Sequence, residues 1–391
     1  MKILILQRFD LSSVSCARRV LCQTKELLQR GHEVLLCDFP HEIRRNAIPA
    51  LINLEKMGAV VIPLDRRVHQ YSRNLWKLRT IQPQPDIIHL WKAYPDASLP
   101  AIALSTIKHI PLHYDWDDWE TGIAAELTGS PLAGWIAGRW DRLLPQICDT
   151  MTVASRFLRR RALAWNARPD RLWDAPVGAD LEKFTPRPCD DNLLKKLGLE
   201  KPILVYSGQL EVASYAEQAV DALQVVLHEI PTASLLILGG GRNLHLIKKR
   251  VSELRLTQNV VFTDYIPADD IPRYLSLADV ALAPFAENDV TRAKSPLKIA
   301  EYMAMGLPIA ASDVGDVKIM AGEACATSPC GDTRKMAYNV INILRSKDLQ
   351  QKMSLAGKKQ AQAIYNWKSH TDTLETAYHT AIQSLPSFKK D

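Results

Sequence analysis

Two stretches of this 391-residue chain concentrate residue types that can do chemistry. The first reads Lys294-Ser295-Pro296-Leu297-Lys298-Ile299-Ala300-Glu301, then Tyr302-Met303-Ala304-Met305-Gly306-Leu307-Pro308-Ile309. Pro296 suits the first turn of a helix, where unpaired N–H groups and the helix dipole favour an anion. Lys294 and Lys298 bracket that turn, and Glu301 falls one turn beyond Lys298. Cations and free N–H groups suit a nucleotide diphosphate, and the carboxylate suits ribose hydroxyls. The plainer reading is an amphipathic helix with surface lysines and a solvated glutamate. The second stretch, His113-Tyr114-Asp115-Trp116-Asp117-Asp118-Trp119-Glu120, follows an apolar run and packs four carboxylates into six residues. They repel one another unless something compensates. A divalent metal held by carboxylate oxygens is one answer. A hydroxyl-rich ligand that donates to the carboxylates and stacks on the Trp faces is another, and a solvated loop is the third. A lesser signal is Gly239-Gly240-Gly241, where glycine after a strand lets backbone approach a phosphate closely, or simply makes a tight turn.

The elements that position these residues alternate between strand and helix. Apolar strand-like runs occupy 2–6, 33–37, 60–64, 86–91, 111–114 and 150–154, then 202–207, 234–238, 259–263, 280–284 and 308–311. Such continuous runs fit strands buried on both faces of a parallel sheet. Helix-period stretches at 16–30, 216–229 and 244–254 lie between them. The alternation predicts doubly wound α/β domains, and so many strands favour two sheets over one. Pro176, Gly178, Pro186 and Pro188 mark a linker, and the tail from Trp367 reads as helix to about Leu385. Open α/β sheets bind ligands beyond the carboxyl ends of their strands, so functional residues are expected there.

Composition bounds the function. The chain is 47% hydrophobic and 24% charged, ordinary for a globular protein. No apolar run reaches the roughly 18–20 residues that span a bilayer, and the short apolar opening 2–6 reads as a buried first strand. The seven cysteines are scattered, without C-x-x-C, which fits thiols in a reducing cytosol. Of the net charge of +6, residues 1–180 carry 24 Lys and Arg against 19 Asp and Glu. Arg156, Arg159, Arg160 and Arg161 cluster there. They read as a solvated helix face or as a contact for an anionic membrane surface or acceptor. No nucleic-acid motif accompanies them. The first strand–helix turn of neither half carries G-x-G-x-x-G, which disfavours a nicotinamide dehydrogenase.

The segment from Ser295 resembles the donor-site signature of family 4 retaining glycosyltransferases, in the branch reading S-P-L-K-x-x-E-Y-M-A-x-G-x-P-I. The resemblance covers nearly the whole chain. Asp86-Ile87-Ile88-His89 is similar to that family's D-[VI]-[IV]-H strand, and the stretch from Pro176 to Phe184 to its P-N-G-V-D-x-x-x-F segment. Tyr206-Ser207-Gly208-Gln209-Leu210 resembles its G-R-L turn, and Leu236-Ile237-Leu238-Gly239-Gly240-Gly241 its glycine turn. Val261-Phe262-Thr263-Asp264-Tyr265-Ile266-Pro267 and Ala278-Asp279-Val280-Ala281-Leu282-Ala283-Pro284 follow in order.

The resemblance implies the GT-B fold: two Rossmann-like doubly wound α/β domains facing across a cleft that closes to exclude water. They are expected at 1–180 for the acceptor and 181–366 for the donor, with 367–391 as a helix crossing back to the first. It implies transfer of a sugar from a nucleotide diphosphate sugar to a hydroxyl acceptor with retention, without metal or other cofactor. The expected acceptor is a glycan, a lipid-linked sugar or a small molecule, while the scattered thiols suggest the cytoplasm and the basic half suggests peripheral contact with a membrane. Expected donor-site residues are Gly208, Gln209, Ser214, Gly240, Gly241, Tyr265, Ser295, Pro296, Leu297 and Glu301. Lys294 and Lys298 stabilise the leaving diphosphate, and Asp117 and Asp118 attend the acceptor and anomeric centre. Departures from the family pattern stand out. Gln209 and Ser214 occupy the positions of its phosphate-gripping Arg and Lys, Ala293 that of its first Glu, Asp117 that of its N-domain His, and residues 12–15 those of its first glycine pair. Leaving-group charge needs cations, so Lys294 and Lys298 must take over that work, with Arg242 and Arg292 as reserves. The rivals are a catalytically degenerate binding partner and a sugar-nucleotide epimerase on the same fold.

Overall fold

The computed structural model of the chain describes residues 1–11, 14–40, 49–210 and 215–384. The chain forms two compact units, Met1–Pro176 with Trp367–Asp391, and Val177–Asn366. Among the described residues, the first unit holds a parallel sheet of seven strands. These are β1 (Lys2–Leu6), β2 (Glu33–Asp38), β3 (Val60–Pro63), β4 (Ile87–Trp91), β5 (Leu112–Trp116), β6 (Thr150–Val153) and β7 (Leu172–Asp174). Their order is β3-β2-β1-β4-β5-β6-β7. The second unit holds six parallel strands: β8 (Ile203–Ser207), β9 (Ser234–Leu238), β10 (Val260–Phe262), β11 (Val280–Ala283), β12 (Ile309–Ser312) and β13 (Cys325–Ser328). Their order is β10-β9-β8-β11-β12-β13. Strand order reverses between β1 and β4, and again between β8 and β11. Those are the points where doubly wound sheets leave a crevice for ligands.

Most of the strands are buried because they are apolar on both faces, whereas β5 is buried with His113 and Asp115 on one face. Every residue of β4, β5, β8 and β9 is buried. Each fully buried Leu or Ile contributes about 1.5–3 kcal/mol. The helix Val14–Gln29 covers one face of the first sheet, joined by the C-terminal helix Trp367–Gln383. Leu374, Tyr378 and Ala381 of that last helix enter the same core as Ile3, Ile5, Ala17, Val20 and Trp91. Strands β7 and β13 are short and lack a long apolar run, which is why periodicity did not reveal them.

The sequence reading ended the fifth strand at Tyr114, and the structure corrects this. β5 runs on to Trp116, so His113 and Asp115 lie inside the sheet on one face. Asp115 is therefore a core carboxylate, not a member of an open acidic loop. Arg19 Nε donates to Asp115 Oδ2 at 2.8 Å, and Arg19 Nη2 to Oδ1 at 2.7 Å. Gln23 Nε2 and Thr152 Oγ1 each add a bond of 2.8 Å. Burial alone would raise the Asp115 carboxyl, but the Arg19 guanidinium holds it well below the usual carboxylate range. Arg19 also donates to Ala175 O at 3.0 Å.

Three histidines line the same interior. His370 Nδ1 lies 2.9 Å from Pro176 O, and since a carbonyl only accepts, that nitrogen carries the proton. His370 Nε2 then accepts from Gln23 Nε2 at 2.8 Å. His89 Nδ1 meets Tyr378 Oη at 2.6 Å, and His113 lies between Thr150 and Thr152 at 3.0 Å each. Burial pushes His89 down to about 4 and His370 down to about 3. All three rings are thus neutral hydrogen-bonding parts.

Beyond β5 the helices Glu120–Thr128 and Pro131–Ile147 form a close hairpin. A Cβ on Gly134 would come within 2.9 Å of Ala125 Cβ, and one on Gly138 within 3.2 Å of Thr121 Oγ1, so these glycines let the second helix pack closely on the side chains of the first. Asp141 is buried at this seam and accepts from Thr121 N at 3.0 Å and Thr121 Oγ1 at 2.5 Å. Burial, the larger influence, pushes its carboxyl up from 3.8 to about 7, against the Thr121 bonds.

Two outcomes follow. Arg19→Met strands the Asp115 charge in the core and is expected to cost about 3–5 kcal/mol in urea unfolding; a loss under about 1 kcal/mol would deny the pair its structural weight. Asp141 binds a proton more tightly folded than unfolded, so its contribution to stability falls as pH rises from about 4 to about 7. Asp141→Asn lacks that dependence. The melting temperature of the variant minus that of the parent should climb across this window and level off above it, whereas a constant difference would show an ordinary carboxyl.

Candidate active site

In the second unit Gly208, Gly240, Tyr265 and Lys298, four of the residues expected at a donor site, meet near the β8/β11 switch point. β8 ends at Ser207 and the chain turns through Gly208, whose φ is 155°. β9 ends at Leu238 and turns through Gly239, Gly240 and Gly241, with φ of 131° at Gly239 and 151° at Gly241. The two turns are stitched together. Gly208 N donates to Leu238 O and Leu210 N to Gly240 O, both at 2.9 Å. A Cβ on Gly239 would lie 2.0 Å from Gly208 O, so only glycine fits this crossing. A Cβ on Gly240 would strike the Tyr265 ring at 2.9 Å, and that ring is 65% exposed.

Lys298 reaches this place from the first turn of the helix Leu297–Ala304. Its Nζ lies 3.9 Å from the centre of the Tyr206 ring, and 2.9 Å from where a Cβ on Gly208 would be. The aromatic face holds the ammonium at the carboxyl end of β8 by a cation–π contact. Tyr302, on the same helix, fixes the strand end by accepting from Ser207 N at 2.7 Å. Glu301 is buried, with 4% exposure. Pro296 caps the helix in an extended conformation (φ −73°, ψ 111°), so the first helical residue is Leu297, half-buried.

The remaining donor candidates are placed differently. Ser295 Oγ accepts from Val177 N at 3.1 Å, which ties it to the start of this unit. Lys294 is half-buried at the end of the helix Asp289–Ala293, with extended backbone. Gln209 is exposed in the turn after β8. Ser214 and residues 12–13 lie outside the described residues, and so do the side chains of residues 14–16. Arg292, a reserve cation, is engaged by Glu287 at 2.6 Å and Asp289 at 3.1 Å.

In the first unit Asp117 and Asp118 follow β5 beside the β1/β4 switch point, as ligand-facing residues should. The compensation for their charge is a lysine that the sequence reading passed over. Lys92 Nζ lies 2.6 Å from Asp118 Oδ2, 2.9 Å from Glu120 Oε1 and 3.4 Å from Asp117 Oδ1. Burial alone would lower the Lys92 ammonium, yet the three carboxylates hold it well above its ordinary value. Burial raises Asp117, Lys92 opposes it and Asp118 adds to it, leaving Asp117 up at about 7. Tyr94 donates to Glu120, and Arg8 lies over the Tyr94 ring at 4.2 Å. Lys92 was findable: it is the first residue after β4, the position where functional residues were expected, but no motif marked it.

The comparisons with known proteins bear on the family and the fold. The family described as "Glycosyltransferase Family 4" matches residues 17–183, and "Glycosyl transferases group 1" matches 201–346. A GDP-mannose-dependent alpha-(1-6)-phosphatidylinositol monomannoside mannosyltransferase from Mycolicibacterium smegmatis is 26% identical over 227 residues. That match takes in 56% of this chain and 59% of the relative, so under two thirds of the relative's length is spanned. Among solved structures, Anabaena HepE in complex with UDP has a TM-score of 0.74 at 15% identity, over 97% of this chain and 100% of that one. Sucrose-phosphate synthase from Thermosynechococcus elongatus has a TM-score of 0.77 at 18% identity, over 98% and 100%. At such identities these structures speak for the fold alone. With both halves matched in order and both sheets wound alike, the chain belongs to family 4 of the glycosyltransferases and has the two-domain Rossmann-like architecture of the GT-B fold.

Proposed function

We propose that this protein transfers a sugar from a nucleotide diphosphate sugar to a hydroxyl acceptor, with retention of anomeric configuration and without a metal. The observation that carries the reading is Lys298, whose ammonium is held over Tyr206 and Gly208 where β8 ends. A fixed cation beside two glycine turns suits a diphosphate, because backbone N–H groups can approach it and the charge that develops on leaving is met in place. Lys294 is the second cation of the proposal, and Glu301 the ribose contact. Tyr265 offers an exposed ring beside Gly240 for the nucleotide. In this reading Lys298 takes over the work that an arginine at position 209 does in the resembling family. Asp117 and Asp118 accept from acceptor hydroxyls, and the departing diphosphate takes the acceptor's proton on the same face. A hydroxyl of a lipid-linked sugar, a glycan or a small molecule all remain within the proposal.

A lipid-linked acceptor agrees with one surface of the first unit. The helix Pro131–Ile147 exposes Leu132, Trp135, Arg139, Arg142, Leu143 and Ile147. At ~100° per residue they fall within an arc of about 140°. Asp141, the one acid on that helix, is buried. Trp119, Trp135 and Trp165 line a pocket of about 530 Å³ together with Arg139, Arg142 and Arg161. Tryptophans and aliphatic side chains among arginines fit the interface of a bilayer bearing anionic phosphate headgroups. Among the described residues no helix is long and apolar enough to cross a membrane, so the proposed contact is peripheral.

Calorimetry with UDP, GDP, ADP and dTDP in the presence of EDTA tests the donor site. One nucleotide should bind, and Lys298→Ala should weaken it about tenfold or more, the effect of one charge-assisted bond; Glu301→Ala should weaken it too. A folded protein that binds none of them would support the non-enzymatic partner instead. Sedimentation with vesicles tests the surface: binding is expected with phosphatidylglycerol present and not with phosphatidylcholine alone, and Trp135→Ala with Arg139→Ser should abolish it. Equal recovery of parent and double variant would remove this helix from the proposal.

A further inference from the structure

Lys92 has two features that need a common explanation. Its backbone is left-handed, with φ of 67°, a conformation glycine takes freely and a long side chain seldom takes. A lysine placed where glycine would fit without strain is best explained by what its side chain does. That side chain is 7% exposed and ends among three carboxylates. One oxygen from each of Asp117, Asp118 and Glu120 can be chosen so that all three lie within 4.8 Å of one another. Carboxylates so arranged are the oxygen shell of a divalent cation. Here the ammonium lies in their midst, and the rings of Trp91 and Phe9 lie 5.0 and 5.6 Å from it, with the π faces that favour a cation.

We propose that Lys92 is a resident cation, a positioning residue whose ammonium takes the place of a divalent ion and holds Asp117 and Asp118 for substrate hydroxyls. The proposal rests on the reading of those two aspartates as the hydroxyl-binding pair. It explains how a carboxylate cluster works in a site without metal. A divalent ion would bind all three carboxylates as ligands and suppress their basicity. One ammonium among three carboxylates leaves negative charge uncompensated, which substrate hydroxyls can meet by donating to Asp117 and Asp118. The charged groups around Asp117 include Lys92, Asp118, Glu120, Arg19 and Asp115. The side chain of Asp117 is 11% exposed and that of Asp118 is 28% exposed, which leaves both open to a ligand.

The test is to remove the ammonium and look for the metal site beneath it. Lys92→Gly suits the left-handed backbone and opens the volume of the side chain. The parent should melt at one temperature in EDTA and in millimolar Mn²⁺, and should bind no Mn²⁺ by calorimetry at this cluster. The variant should melt lower in EDTA, recover in millimolar Mn²⁺, and bind one Mn²⁺ ion. The n-butylammonium ion, which has the shape of the missing side chain, should also raise its melting temperature. A variant that melts alike in EDTA, Mn²⁺ and n-butylammonium, and takes up no Mn²⁺, overturns the proposal. Should Lys92→Gly fail to fold in EDTA, refolding in Mn²⁺ and the charge-matched Lys92→Met/Asp118→Asn replace it. Recovery by either supports the resident cation, and failure of both sinks it. Nucleotide titration of the parent reports separately on the transfer reading, because loss of that binding leaves the Mn²⁺ result standing.

Discussion

The first unit is organised around one buried ion pair. Asp115 sits in the middle of a parallel sheet, where an unpaired carboxylate is not tolerated. Arg19 meets it with two bonds, and Gln23 and Thr152 fill the remaining acceptor positions. The pair thus fixes the helix Val14–Gln29 against β5 and β6. Through Gln23 and His370 the same network reaches the C-terminal helix, and through Arg19 and His370 it reaches the carbonyls of Ala175 and Pro176. Helix, sheet, tail and the exit of the chain from this unit therefore share one electrostatic centre. Such pairs add little net stability over an apolar core, but once one partner is present the other is obligatory.

From that centre the candidate site grows outwards along β5. Asp115 is held ionised by arginine, while Asp117, two residues on and just past the strand end, is held by a lysine that also serves Asp118 and Glu120. The alternation of the strand sends both aspartates to the same side, one into the core and one to the rim. The second unit builds its site from different materials. There the backbone does the shaping, with glycines at φ values that side chains rarely adopt, and a single ammonium is held by an aromatic face. The first unit offers fixed carboxylates and the second a fixed cation, as a hydroxyl acceptor and an anionic donor would respectively demand.

The acidic stretch shows where local reading stops. Four carboxylates in six residues looked like one feature in the sequence. The fold divides them into a core ion pair and a rim cluster, because β5 runs two residues further than its apolar pattern suggested. Trp116 stacks on Tyr114 and Trp165, and this packing carries the strand on through Asp115. The cation that meets the rim lies just past the end of β4, more than twenty residues earlier in the chain. No spacing rule links Lys92 to Asp118.

The sequence by itself determined the class of fold, the position along the chain of eleven of the strands and the family resemblance. These depend on local facts: apolar runs long enough to be buried on both faces, glycines at turns, and a proline ahead of a helix. It also marked Lys298, Gly208 and Gly240 for the same task, because each follows directly from a motif. Only the tertiary structure decided which charges meet. Arg19 with Asp115, Lys92 with its three carboxylates and Ser295 with Val177 are pairings between distant segments. Their energies depend on distance and burial, and both arise only when the sheet brings strand ends together. That is why the bond from the Val177 backbone to Ser295, and the place of Lys92, emerged only in the folded chain.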